Sequence, residues 1–262
     1  MDKIILLGDI HGQFFPIRNL DQRLKTNNGR GLDYTDIIIL LGDVAANYFL
    51  NKRDEEFKKV LNIYPCKFFC VRGNHEERPS ILAKKNPQQW ESKIFFDNYC
   101  YVEKRFPNIY YASDSLNTYN INGHRTLVIP GAYSVDKMFR IANKVPWFPN
   151  EQLSKDEMEL GESIILFNNK YDLVLSHTCP YSYQPTDLFS PIVNQNLVDT
   201  AMEKYMDKIE KQITYKYWLF GHFHQFRVYP KYNNKQLIML YNDKAIELNT
   251  LFKTNDVLQS IL

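Results

Sequence analysis

Five times along the chain, a short run of Ile, Leu, Val and Phe stops at a glycine or serine and then at a side chain of the metal-binding kind. KIILLGDIH stops at Asp9 and His11, DIIILLGD at Asp43, KFFCVRGNH at Asn74 and His75, DLVLSH at His177, and YWLFGHFH at His222 and His224. Short apolar runs without polar alternation are the signature of strands buried on both faces, so the chain must cover its sheet from both sides. Helical stretches at Phe14 to Leu24, Glu55 to Ile63 and Leu197 to Ile213 lie between these runs and predict βαβ units. Sheets of this kind gather ligands beyond the carboxyl ends of their strands, where all five polar clusters fall, which predicts a single composite site.

Local signals refine this frame. Leu197, Ala201, Tyr205 and Ile209 make a stripe at fourfold spacing that should face the sheet. Ser154 to Glu157 fits a capping box, which would put Gly161 inside the following helix as a weak point. Asn122-Gly123 reads as a tight hairpin, and QLIMLY and AIELNTL read as further strands. At 262 residues, with no repeat, linker or low-complexity tract, the chain reads as one continuous domain over 1–262. The apolar segment Lys3 to Leu7 is too short for a signal sequence or a membrane span, which gives a cytoplasmic expectation with no membrane partner. The net charge of +2 does not call for nucleic acid, although a local basic groove stays open. Cys66, Cys70, Cys100 and Cys179 lack paired CxxC spacing and read as reduced packing residues.

Five of the six histidines sit at the polar strand ends, and only His124 does not. Pairs spaced by two, Asp9 with His11 and His222 with His224, point the same way from an extended backbone, so each pair can grip one ion. Gly8, Gly12, Gly42, Gly73 and Gly221 allow tight turns and close approach of the main chain. The donors mix imidazole nitrogen with carboxylate and amide oxygen and use no thiolate. Such a set suits manganese foremost, or iron, zinc, nickel or magnesium, rather than a structural zinc site. Two cations about 3.5–4 Å apart clamp a phosphoryl group and lower the pKa of a bridging water, so that hydroxide becomes the nucleophile.

These blocks, GDIHG from Gly8, GD from Gly42, GNHE from Gly73, SH from Ser176 and GHFH from Gly221, resemble in order those of the calcineurin-like metallophosphoesterase superfamily. The resemblance implies an α/β sandwich of two mixed β-sheets flanked by α-helices, with two divalent metal ions. It implies that Asp9, His11 and His224 bind the first metal, that Asn74, His177 and His222 bind the second, and that Asp43 bridges them. It gives His75 the part of contacting the phosphate and protonating the leaving oxygen. His75 also neighbours Asn74, so in an extended stretch it should point away from that residue's direction.

GDIHGQF and RGNHE look like the Ser/Thr protein phosphatase branch, but that branch places Asp-Arg where this chain has Ala46 and Asn47. The chain looks closer to uncharacterised bacterial and phage members that carry a segment like Gly131 to Lys137. With the usual arginine missing, Asn47, Arg72 and Arg140 are the candidate phosphate donors, and Asp136 or Glu76 is a candidate to orient His75. The loops Tyr133 to Asn150 and Cys179 to Pro191 carry aromatic residues suited to closing the core or to stacking on a nucleobase. The expected activity is metal-dependent hydrolysis of a phosphorylated small molecule, nucleotide or phosphoprotein, as phosphatase or phosphodiesterase. A catalytically silent metal-binding scaffold of the same fold is the competing class, and a complete set of motif residues speaks against it.

Overall fold

The computed structural model describes residues 2–262. In chain order the elements are β1 (Ile4–Leu7), α1 (Phe15–Asn28), β2 (Ile37–Leu41), α2 (Lys52–Ile63), β3 (Lys67–Val71), α3 (Pro79–Lys85), β4 (Trp90–Phe95), β5 (Asn98–Glu103), β6 (Ile109–Tyr111) and β7 (Asn117–Ile121). They continue with β8 (His124–Ile129), α4 (Lys137–Asn143), α5 (Lys155–Phe167), β9 (Leu173–Ser176), α6 (Ala201–Gln212), β10 (Tyr217–Phe220), β11 (Arg227–Val228), β12 (Gln236–Met239), β13 (Ile246–Glu247) and α7 (Leu248–Thr254). Among the described residues these strands form two mixed sheets, ordered β13-β1-β2-β3-β6-β5-β4 and β11-β12-β10-β9-β8-β7. The centre of each is parallel, β1-β2-β3-β6 in one and β12-β10-β9-β8 in the other, and antiparallel strands close the edges.

The apolar runs follow from what lies on each side of these strands. Ile4, Leu6, Ile39, Leu41, Phe69 and Val71 turn inward and meet Val128, Leu173, Leu175, Tyr217, Leu219 and Ile238 of the facing sheet. Their neighbours Ile5, Leu7, Ile38, Leu40 and Phe68 turn outward onto Ile17, Leu20 and Leu24 of α1 and Phe57 and Leu61 of α2. On the far side Val174, Trp218, Phe220 and Met239 meet Ile165 of α5 and Met202, Met206 and Ile209 of α6. Alternate residues of one strand thus fill two different cores, and no position is left for a polar side chain until the strand ends. The layers run helix, sheet, sheet, helix, as the resemblance implies. The strands that end in polar residues are divided between the sheets, β1, β2 and β3 in one and β9 and β10 in the other.

Several local expectations change. The buried face of α6 is Met202, Tyr205, Met206 and Ile209, whereas Leu197 is 77% exposed in a preceding 3-10 turn. The helix starts only at Ala201, and the i, i+3, i+4, i+7 pattern begins at Met202, five residues after the start of the fourfold stripe. AIELNTL is a two-residue strand followed by α7, because the Glu247 side chain accepts from the Asn249 and Thr250 amides and caps a helix there. The antiparallel β4–β5 hairpin had no signal, since its turn uses Phe96 and Asp97 at φ 56° and 62° instead of glycine. Asn122-Gly123 does form the turn between β7 and β8, with both residues at positive φ and Ile121 paired to His124. The capping box of α5 is present in both directions between Ser154 and Glu157.

Gly161 is buried where α5 crosses α6, and a Cβ there would lie 2.3 Å from Tyr205 Oη. It is a contact position, not merely a weak one. Gly161→Ala should therefore lower the melting temperature, with overpacking of about 1–3 kcal/mol outweighing the gain in helix propensity. Adding Tyr205→Phe, which removes the obstructing oxygen, should recover most of the loss; thermal denaturation of both variants checks this.

Candidate functional site

Asp9 and Asp43 stand just past adjacent parallel strands β1 and β2, with exposures of 0% and 2%. The loops that carry them are sewn together, since His11 N donates to Asp43 O at 2.8 Å and Gly12 N to Val44 O at 2.9 Å. The second sheet reaches across. His222 N donates to both oxygens of Asp9 at 3.1 and 2.9 Å, and the His177 ring sits with Nδ1 2.8 Å from Leu41 O. Glycine is required at two of these approaches: a Cβ on Gly73 would lie 2.1 Å from Asp43 Oδ1, and one on Gly42, at φ 93°, 2.1 Å from His177 Nδ1.

All eight residues expected at the centre come together. His11 Nε2 and His224 Nε2 face each other at 2.8 Å, and His224 Nε2 is 3.4 Å from Asp9 Oδ2. Donor atoms of Asp9, His11 and His224 lie within 4.8 Å of one another, and so do those of His11, Asp43 and His75. His177 Nε2 is 2.9 Å from Asn74 Oδ1 and 3.4 Å from Asp43 Oδ1, and the His222 ring is 4.9 Å from that of His177. The paired residues do not project from extended backbone as expected. His11, Asp43, His222 and His224 have φ of 46°, 47°, 73° and 54°, so each block turns in the left-handed region where the strand ends. Asn74 and His75 likewise lie in a bend.

The donor chemistry fits divalent cations on three counts. Both nitrogens of His177 face oxygen acceptors, and the bond to Leu41 O holds Nδ1–H in place, which presents Nε2 to the cluster. Asn74 Nδ2 donates to Ser134 Oγ at 2.9 Å, which presents Oδ1 to the same point; Ser134 is itself fixed by Glu151. The His11 and His224 nitrogens meet head-on, where one of the two must offer a lone pair to the other. Electrostatics divide the donors into two groups. Burial, moderated by His177, pushes the Asp9 carboxyl up to about 7. Burial depresses the His177 imidazolium, but the Asp43 and Asp9 carboxylates outweigh it and raise the ring to about 9. Burial lowers His11 to about 4 and carries His222 well below the ordinary range, so both offer neutral nitrogen.

Among the candidate phosphate donors, only Arg140 reaches the cluster. It lies on α4, with Nη2 2.7 Å from His75 Nε2, Nε bonded to Asp136 Oδ1 at 2.7 Å, and Nη1 bonded to Tyr48 Oη at 2.7 Å. Arg72 is buried and turned inward, with Nη1 2.8 Å from Glu151 O and Nε 3.4 Å from Asp114. Asn47 is buried as well, its main-chain carbonyl accepting from Glu77 N, and it faces a different cleft from the histidines. Strand-like spacing places both near the site, but their side chains turn into the protein. Neither Glu76 nor Asp136 touches His75. Glu76 accepts from Gly73 N, Asp136 acts through Arg140, and Asp43 Oδ2 is the carboxylate beside His75, at 3.5 Å.

Sequence reasoning missed Tyr48, Ser134 and Glu151. Ser134 lies in the Gly131–Lys137 segment already singled out, whereas Tyr48 and Glu151 have no local signal. Three aromatic residues of the two loops serve structure: Phe148 is buried, Trp147 lies under Lys137, and Tyr183 packs on Tyr229. All four cysteines are free and buried, with burial raising their thiols, and Cys179 is carried far from nucleophilic character. No helix among the described residues is long and apolar enough to cross a membrane.

A family model for calcineurin-like phosphoesterases matches residues 2–226. The chain belongs to that family, and it is a metal-dependent phosphoester hydrolase. In fold it is similar to a solved chain at TM-score 0.51 and 13% identity, covering 94% of this chain and 95% of that one. A dimetal phosphatase from Danio rerio gives TM-score 0.49 at 11% identity, covering 94% of this chain and 95% of that one. A phosphopantetheinyl hydrolase from Mycobacterium tuberculosis gives 0.49 at 13% identity, covering 92% and 90%. No curated protein matches the chain in sequence.

Because a ligand that binds only the folded state stabilises it, manganese added to ion-stripped protein should raise the melting temperature progressively with concentration. Asp43→Asn, which keeps the shape and removes the charge, should lose most of that gain. A flat melting temperature in the unaltered protein would count against cation binding by this cluster.

Proposed function

We propose that the chain hydrolyses small phosphate monoesters or diesters at a pair of divalent cations, manganese foremost. The convergence of donors from five strand ends in two sheets on one buried acidic floor carries this reading. Asp9, His11 and His224 would hold one ion, Asn74, His177 and His222 the other, and Asp43 both. When bound, such a pair clamps phosphoryl oxygens and acidifies the attacking water.

The chain's own residues have distinct parts. Leu41 O and Ser134 Oγ keep His177 and Asn74 aimed at the cluster, so their donor atoms need no reorganisation. Arg140 stands in for the arginine that is absent at Asn47: its guanidinium is held by Asp136 and Tyr48 beside His75, where a phosphate oxygen would arrive. A guanidinium only donates, so its contact with His75 Nε2 needs a lone pair there and leaves Nδ1–H for Asp43. Transfer of Arg140 to the phosphate would free Nε2 to take up a proton from solvent and pass it to the leaving oxygen. Phosphoprotein substrates fit less well, because Ala46 and Asn47 replace the Asp-Arg pair. Nucleic-acid polymers also fit less well, because the net charge is +2 and Arg140 alone of the expected cations reaches the cluster.

Chelated protein should be inactive on p-nitrophenyl phosphate and its bis-ester and should regain turnover with manganese. His75→Ala should keep its bound manganese and lose about 100-fold or more in rate. Arg140→Ala should raise KM for the monoester by about tenfold, the effect of one charge-assisted contact. If the manganese-loaded protein turns over no phosphoester in a broad panel, the proposal is wrong.

A further inference from the structure

Beside the histidine cluster opens a cavity of about 350 Å³ that hydrolysis alone does not explain. Asn74, His75, His222 and His224 bound it on one side, and the loop from Gln184 to Thr200 bounds it on the other. Its size is at the small end of the roughly 300–1,000 Å³ typical of small-molecule sites. Leu188, Val193 and Val198 make its far wall apolar. Phe189 and Phe223 line it with ring planes only 17° from parallel and centroids 6.3 Å apart. Phe223 lies between His222 and His224 in the chain, with its ring 5.0 Å from that of His222, so this platform begins where the metal-type residues end.

Glu203 lines the same cavity at 4% exposure. Its Oε1 accepts from Thr178 Oγ1 at 3.1 Å, whereas its buried Oε2 has no partner among the described residues. A buried acceptor left without a donor costs about 1–3 kcal/mol, so Glu203, a residue of the cavity lining, carries an unmet need for a donor. Burial also holds this carboxyl up at about 7.

These features select among phosphate esters. A sugar phosphate would set its hydroxyls against phenyl rings and aliphatic walls, and an alkyl chain would leave Glu203 unpaired. A flat nitrogen heterocycle meets both requirements, with π-faces for the phenyl rings and ring-edge N–H groups for the carboxyl. We infer that this cavity is a nucleobase pocket: a nucleoside phosphate seats its phosphate on the histidine cluster, stacks its base on Phe189 and Phe223, and donates a base N–H to Glu203 Oε2. The inference rests on the hydrolytic reading of the cluster and adds the substrate class. A free nucleotide suits the cavity better than a polymer, because its volume is small and Asp136 and Glu203 lie in its lining.

The test compares manganese-loaded protein on nucleoside 5′-monophosphates, phenyl phosphate and glycerol phosphate, and measures adenosine and guanosine binding to ion-stripped protein by calorimetry. Nucleotides should show the highest kcat/KM. Phe189→Ala should cut their preference over glycerol phosphate by about tenfold, in line with the loss of one stacking platform. Glu203→Gln should cut the preference for nucleotides over phenyl phosphate, and circular dichroism checks that both variants fold. Glycerol phosphate turned over as well as nucleotides, or nucleosides failing to bind, overturns the pocket and leaves the hydrolase reading intact. Nucleoside binding that Phe189→Ala weakens, in a protein that cleaves no ester, supports the pocket and removes the hydrolase reading.

Discussion

Two carboxylates kept out of water, Asp9 and Asp43, set the terms for the rest of the molecule. Burying one anion is costly, and burying two side by side is tolerable only where positive charge and hydrogen-bond donors surround them. His177 reaches both, at 3.6 Å and 3.4 Å, and main-chain amides of His222 and His75 donate to them from opposite sheets. The same carboxylates that need this support draw the imidazoles into one place. Cation binding and the integrity of the site are therefore aspects of a single charge balance.

The sandwich makes that balance attainable. Its inner core joins alternate residues of β1, β2 and β3 to those of β9 and β10, so the ends of strands far apart in the chain stay in fixed register. No single sheet could surround the carboxylates with donors from several directions. The outer helices finish the strands' second faces, and α4 departs from this pattern by bringing Arg140 over the opening of the site.

Much of this was legible in the sequence, for reasons particular residues make plain. Strands such as IILL and IIILL carry no polar position, which fixes burial on both faces, and the abrupt change to Asp9 or Asp43 marks the edge where chemistry gathers. The direction of side chains was not legible. Arg72 and Asn47 sit within a few residues of the cluster, yet Arg72 turns inward to Glu151 and Asn47 is buried against another cleft. The partition of the strands between two layers came from the resemblance, because alternation alone does not say which core each face meets. The β4–β5 hairpin, the Glu247 cap and the Phe189–Phe223 pair depend on tertiary contacts or on turn residues without a strong local signature.

The left-handed backbone at His11, Asp43, His222 and His224 has a further meaning. Each of these L-residues sits where glycine would rest more comfortably, at a cost of roughly 1–2 kcal/mol apiece. Leu50, Phe96 and Lys144 adopt the same region elsewhere, but among the described residues only at the centre do four such residues gather in one cluster, held in shape by their neighbours. Glycine would ease the backbone at these four positions, but it would also remove the three imidazoles and the carboxylate they carry.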